Sequence, residues 1–165
     1  MQLSTAQLQA LKTWVIANAS GVFDQATANT LNAIASPDFW VWRTSVTKAE
    51  CVQTASVDGT TFNWVGNGFI TRSVGEQTAW RELFNHTESV NPSLANVRQA
   101  FADIFSGTGN AAANRTHLLT IARRKATLGE KTLGNGTGST ANPATMGSGA
   151  EGEVTLQNLV DASNS

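Results

Sequence analysis

Three side chains in this sequence are of types that do chemistry near neutral pH: Cys51, His86 and His117. A thiol beside an imidazole can work as a nucleophile with its base, so Cys51 with a distant histidine is the pair to weigh. Against it, Cys51 follows Lys48-Ala49-Glu50 in a helical turn, where a lone cysteine reads as a small buried hydrophobe. His86 falls in a polar turn, as a surface or capping residue. His117 falls in a helix, as a hydrogen-bonded core residue. No His-Glu-x-x-His, paired His/Cys spacing or acidic cluster suggests a metal, and one cysteine excludes an internal disulfide. The run Gly107-Thr108-Gly109-Asn110-Ala111-Ala112 matches part of a dinucleotide fingerprint, which works only when a strand leads into it; here a helix does. The sequence therefore reads as a non-enzyme, with no catalytic residue, cofactor or metal expected.

The elements that would position these groups are mainly helical. Ser4 and Gln7 have capping-box spacing, and Leu8, Leu11 and Val15 then share one face of a helix from Thr5 to about Asn18. Asp24 caps a second helix bearing Ala28, Leu31 and Ala35, which stops before Pro37. After the aromatic cluster Phe39, Trp40 and Trp42, Thr44 or Thr47 opens a short helix through Glu50 to Gln53. Residues Ala55 to Gly68 read as a structured loop. A short hairpin is the alternative, since Asp58-Gly59 is a turn signal and Phe62 and Trp64 alternate. Ser73 and Glu76 form a further capping box, before Trp80, Leu83 and Phe84. Asn91-Pro92 reads as N-cap and first residue of a helix carrying Leu94, Val97, Phe101, Ile104 and Phe105, closed by Gly107. A last long helix is expected from about Asn110, with Leu118, Ile121 and Leu128 inward. The five tryptophans read as core or interface anchors.

Composition narrows the class of function. Only 14% of residues are charged, well below the roughly 25% usual in soluble domains. That suits either a surface partly covered by neighbours or a polar, Asn/Thr/Ser-rich monomer. Net charge is −1, so the whole molecule has no field drawing it to nucleic acid or a membrane. No signal peptide is read at the N-terminus and no apolar run approaches the ~20 residues of a membrane span, so a cytoplasmic protein without membrane contact is expected. The charge is uneven, however. Arg115, Arg123, Arg124, Lys125 and Lys131, against Glu130 alone, make one basic helix from Arg115 to Lys131. It reads as a solvated helix end, as a contact for an acidic protein surface such as a neighbouring copy's arm, or as a phosphate contact to DNA.

Beyond Leu133 glycines crowd the chain, and Val154, Leu156, Leu159 and Val160 form a small apolar island. The expected organisation is a helical body over residues 1–133 and an extended Gly-rich C-terminal arm over 134–165. The arm is either a flexible tail or a segment that orders on a neighbour, with those four residues as its oligomer or portal anchors.

The run Trp80-Arg81-Glu82-Leu83-Phe84-Asn85, with Val90-Asn91-Pro92-Ser93-Leu94-Ala95-Asn96-Val97-Arg98-Gln99-Ala100-Phe101 and Asp103-Ile104-Phe105-Ser106-Gly107, resembles small virion proteins of tailed bacteriophages. So do Arg115-Thr116-His117-Leu118, Arg123-Arg124-Lys125-Ala126 and Ala144-Thr145-Met146-Gly147. The likeness covers about the C-terminal half and carries no catalytic motif. It is similar to head–tail connector, or neck, components, and to the helical adaptors among them. The resemblance implies a homo-oligomeric ring in the virion that docks on the portal protein, meets a tail or stopper protein and surrounds passing genomic DNA. The alternative is a DNA-binding module using the basic helix.

Overall fold

The computed structural model describes residues 1–85, 87–147 and 149–165. Helices predominate, with two small two-stranded sheets. The chain forms two compact units, one of residues 1–42 with 124–165 and one of residues 43–123. This is not the expected division into a 1–133 body and a 134–165 arm.

In the first unit, α1 (Thr5–Asn18) starts at the expected capping box: the Ser4 hydroxyl accepts from the Gln7 amide and the Gln7 side chain accepts from the Ser4 amide. It ends where Ser20 and Gly21 turn left-handed and the Gly21 amide reaches back to the Val15 carbonyl. Asp24 caps α2 (Gln25–Asn32), which stops short of Ala35, although Ala35 is still buried. The strand β1 (Trp40–Trp42) pairs with β4 (Arg123–Lys125). Further backbone bonds tie β1 to the 138–144 stretch: the Trp40 amide donates to the Gly138 carbonyl, the Trp42 amide to the Ala144 carbonyl and the Ala144 amide to the Trp40 carbonyl. Gly138 packs so closely on the Phe39 ring that a Cβ would lie 2.2 Å from it. Then come α7 (Leu128–Leu133) and α8 (Leu156–Ser163).

The C-terminal residues thus fold onto their own chain instead of extending as an arm. Val154, Leu159 and Ala162 share a core with Leu11, Val15, Ala28 and Leu31. Ala144, Met146 and Ala150 join Phe39, Val41 and Leu133 in a second cluster. Side-chain amides tie this segment to the rest of its unit: Asn32 donates to the Val154 carbonyl at 2.9 Å and accepts its amide at 2.8 Å, and the Asn158 side chain donates to the Met1 carbonyl. Those bonds and the apolar island together offset the entropy that composition alone set against order.

In the second unit, Thr47 is the cap of α3 (Lys48–Gln53), in a capping box with Glu50. Ser73 and Glu76 do the same for α4 (Val74–Glu82). The strands β2 (Val46–Thr47) and β3 (Ser89–Val90) pair antiparallel. The helix expected at Asn91-Pro92 begins later, as α5 (Ala95–Ile104). Asn91 Oδ1 instead accepts from the Ser93 amide and hydroxyl, and its carbonyl accepts from Leu94, so Asn-Pro-Ser-Leu is a turn. Phe62, Trp80, Phe84, Phe101, Phe105 and Leu118 make the core, with Trp80 stacked 5.7 Å from Phe62 and edge-on to Phe105 at 5.3 Å. Next follows α6 (Asn110–Ile121).

The expected basic helix from Arg115 to Lys131 does not exist as one element. The helix α6 ends at Ile121, Arg123 to Lys125 form β4, and α7 starts afresh. No Gly or Pro lies between Ile121 and Leu128, where the run breaks; Gly129 falls inside α7. Strand pairing with β1 overrides local propensity, and the Thr127–Glu130 capping box then opens the new helix.

Candidate functional site

The groups with chemical potential are spent on structure. His117 is wholly buried on α6, with Nε2 2.9 Å from the Cys51 carbonyl and Nδ1 3.1 Å from the Thr60 hydroxyl. A carbonyl only accepts, so Nε2 carries a hydrogen, and in the neutral ring Nδ1 accepts from Thr60. The imidazole thus meets the backbone of Cys51, joining α3 to the 56–60 turn. Burial, and then the Glu50 carboxylate, push the Cys51 thiol up to about 12, which keeps it protonated and unreactive. His86 lies outside the described residues. The helix α5 precedes Gly107-Thr108-Gly109, as the dismissal of the dinucleotide fingerprint required. Among the described residues, no group of three or more His, Cys, Asp or Glu could hold a metal.

The five basic residues are divided between both units and engaged locally. In the second unit, Arg115 donates to the Phe105 carbonyl and Arg123 pairs with Asp58 at 2.8 Å. In the first unit, Lys125 pairs with Asp38 at 3.0 Å and lies over the Trp40 ring, and Lys131 reaches the Pro37 carbonyl. Arg124 is the centre of a network. It makes two 2.7 Å bonds to Glu130, which is 1% exposed, and one of 3.0 Å to Glu151. Burial would raise the Glu130 carboxyl, but Arg124 and the amides of Gly152 and Thr127 outweigh it and hold the carboxyl below its ordinary value. Among the described residues, Arg124 alone of the five cations meets a carboxylate of the C-terminal segment, Glu151.

The four apolar anchors separate into two pairs. Val154 and Leu159 are buried in the core of the first unit. Leu156 and Val160, one turn apart on α8, are 42% and 39% exposed.

A second apolar surface escaped the sequence analysis. Trp64, Val65, Ile70 and Val74 are 44%, 68%, 67% and 81% exposed within an eleven-residue stretch of the second unit. Single exposed apolar residues are ordinary; four together on one segment are not. Their backbone is irregular, including a 3₁₀ turn at Gly66–Gly68, yet closely braced. Asn114, one of the most buried polar side chains, accepts the Asn63 amide at 2.7 Å and donates to the carbonyls of Asn63 and Gly68, each at 2.9 Å. Asn110, one turn earlier on α6, donates to the Val65 carbonyl. The Ile70 amide donates to Trp64, closing the loop on itself. Gly68 is required where it stands, because a Cβ would meet the Asn63 carbonyl oxygen at 2.3 Å. Phe62 and Phe69 set the Trp64 ring edge-on at 4.8 and 5.1 Å. Arg72 bonds Glu76, the Ser106 hydroxyl and the carbonyls of Asn67 and Ser106, tying the loop's exit to the end of α5.

The loop reading of Ala55 to Gly68 is therefore the one the structure takes: no described residue in it is in a strand, and Asp58-Gly59 is a tight turn with Gly59 left-handed. The loop can present a rigid aromatic and aliphatic surface, at little entropic cost on binding. No helix among the described residues is long and apolar enough to cross a membrane. No family model matches the chain, and neither a curated protein nor a solved structure is significantly similar to it.

Proposed function

We propose that this chain is a structural virion subunit that forms a ring in the head–tail connector of a tailed phage, docking on the portal and linking it to the tail. The observation that carries the self-assembly part is the braced loop: four large apolar side chains face solvent on and just after a segment whose backbone at Asn63 and Gly68 is bonded to buried Asn114. A free-standing monomer gains nothing from ordering a surface it leaves wet, whereas a partner meets it preorganised. The low share of charged residues points the same way. The neck assignment adds the resemblance of the Trp80–Gly107 and Arg115–Ala126 runs to neck proteins. The DNA-binding alternative loses its premise, because its basic helix is three separate elements and each of its five cations has a partner within its own unit.

The test is mass by light scattering with negative-stain microscopy, on the protein alone and mixed with the portal from the same genome. A ring, alone or on the portal, is the expected result. A monomer that ignores the portal would reject the reading, and one that also shifted duplex DNA at low salt would restore the alternative.

A further inference from the structure

We propose that the loop surface of one copy docks on the α8 face of a second copy, Ile70 and Val74 packing against Leu156 and Val160. The inference rests on the self-assembly reading above and deepens it by naming the two surfaces that meet. Both are exposed apolar pairs: Leu156 and Val160 lie one turn apart on α8, and Ile70 and Val74 lie in the turn before α4 and at its first residue. A short helix presenting anchors at i and i+4 is a common ligand for an apolar surface.

Charge selects a second copy as the occupant. The α8 face is flanked by the exposed carboxylates Glu153 and Asp161, neither of which is in an ion pair among the described residues. Arg81, seven residues from Val74 and so on the same side of α4, is exposed and likewise without a carboxylate partner among them. The other charges of α4 are accounted for: Glu76 is held by Arg72, and Glu82, about 100° round the helix from Arg81, accepts from Asn85. Residues 43–123 carry +1 and the remainder −2, so the two surfaces belong to units of opposite sign. Like charge disfavours α8 against α8, and unlike charge favours loop against α8.

In the ring proposed above, each copy gives its loop to one neighbour and its α8 to the other, a head-to-tail contact; a reciprocal exchange between two copies would instead close as a dimer. The experiment uses the full chain in three forms: wild type, Ile70→Asp and Val160→Asp, compared by sedimentation velocity up to millimolar concentration. Thermal melts check that each variant folds. The wild type is expected to exceed dimer, and each variant alone to be monomeric. An equimolar mixture of the two should stop at a one-to-one pair, because one intact loop and one intact α8 remain. As a second reading, Arg81→Glu and Asp161→Arg should each weaken assembly by about two- to fivefold, and the double variant should recover it. Unimpaired assembly by either Asp variant, or a mixture that stays monomeric, would overturn the proposal while leaving the ring reading intact. A wild type that stays monomeric at millimolar concentration would also overturn it, and the portal experiment then decides the ring reading separately.

Discussion

Two irregular segments of this protein both draw on asparagine side chains and point their apolar groups differently. The loop from Asn63 to Val74 has no strand partner and its backbone is bonded by Asn114, whereas the C-terminal segment is held by isolated backbone bridges, Asn135 with Thr145 and Ala144 with β1, to which Asn32 adds two bonds to Val154. The C-terminal stretch turns its large apolar groups inward, with Met146 and Val154 buried. The loop turns Trp64, Val65 and Ile70 outward. Side-chain amides can order a backbone without regard to where its apolar side chains point. Asparagines thus help to order both segments, and the direction of the apolar groups separates a core from an exposed surface.

The largest way to break this comparison is Asn114→Ala. It strands two carbonyls and an amide in the interior, at about 3–4 kcal/mol, read by chemical denaturation, with faster hydrogen exchange across residues 63–70. Leu159→Ala acts on the other segment, costing about 3 kcal/mol as cavity and lost transfer energy, because that side chain is fully buried. Under an arm that leaves the body, the same change would cost almost nothing in the isolated protein. Glu130→Gln should cost about 2 kcal/mol at pH 7, since it removes the buried carboxylate and leaves Arg124 with Glu151 alone. Its pH dependence has a defined sign. The folded-state carboxyl is lowered from 4.5, so its contribution is present above that value and fades as pH falls through the lowered one. Stability of the wild type should drop across that acid window, and the variant's profile should be flatter there. The smallest effect sharpens the contrast. Val65→Ser with Ile70→Ser should move stability by no more than about 0.5 kcal/mol in thermal melts, since both side chains are already wet.

Much of the fold was legible because local signals agreed with the final packing. The capping boxes at Ser4 and Ser73, the cap at Asp24 and the cap at Thr47 all open the helices they announce. Asn91-Pro92 misled because an Asx-turn and an N-cap use the same residue types, and only the backbone after Ser93 distinguishes them. The basic stretch misled because its strand depends on β1, some eighty residues away; the Thr127–Glu130 spacing was the local clue that a new helix starts there. The C-terminal segment was judged by its own composition, whereas its partners are Leu11, Val15 and Asn32 at the other end of the chain. Of the candidate site residues, Leu156 and Val160 keep an exposed face, and Val154 and Leu159 belong to the core. The loop surface left one trace in the sequence, the spacing of Asn110 and Asn114 on one helical face, but a braced loop and a buried one would both show it.

The most direct measurement is static light scattering of the wild type and the Val65→Ser/Ile70→Ser variant side by side, at equal concentration, alone and with portal rings. The account predicts a high-mass assembly for the wild type and a folded monomer for the variant. Equal masses for two equally folded proteins would contradict it, leaving the loop a surface that is exposed and braced but not used for assembly.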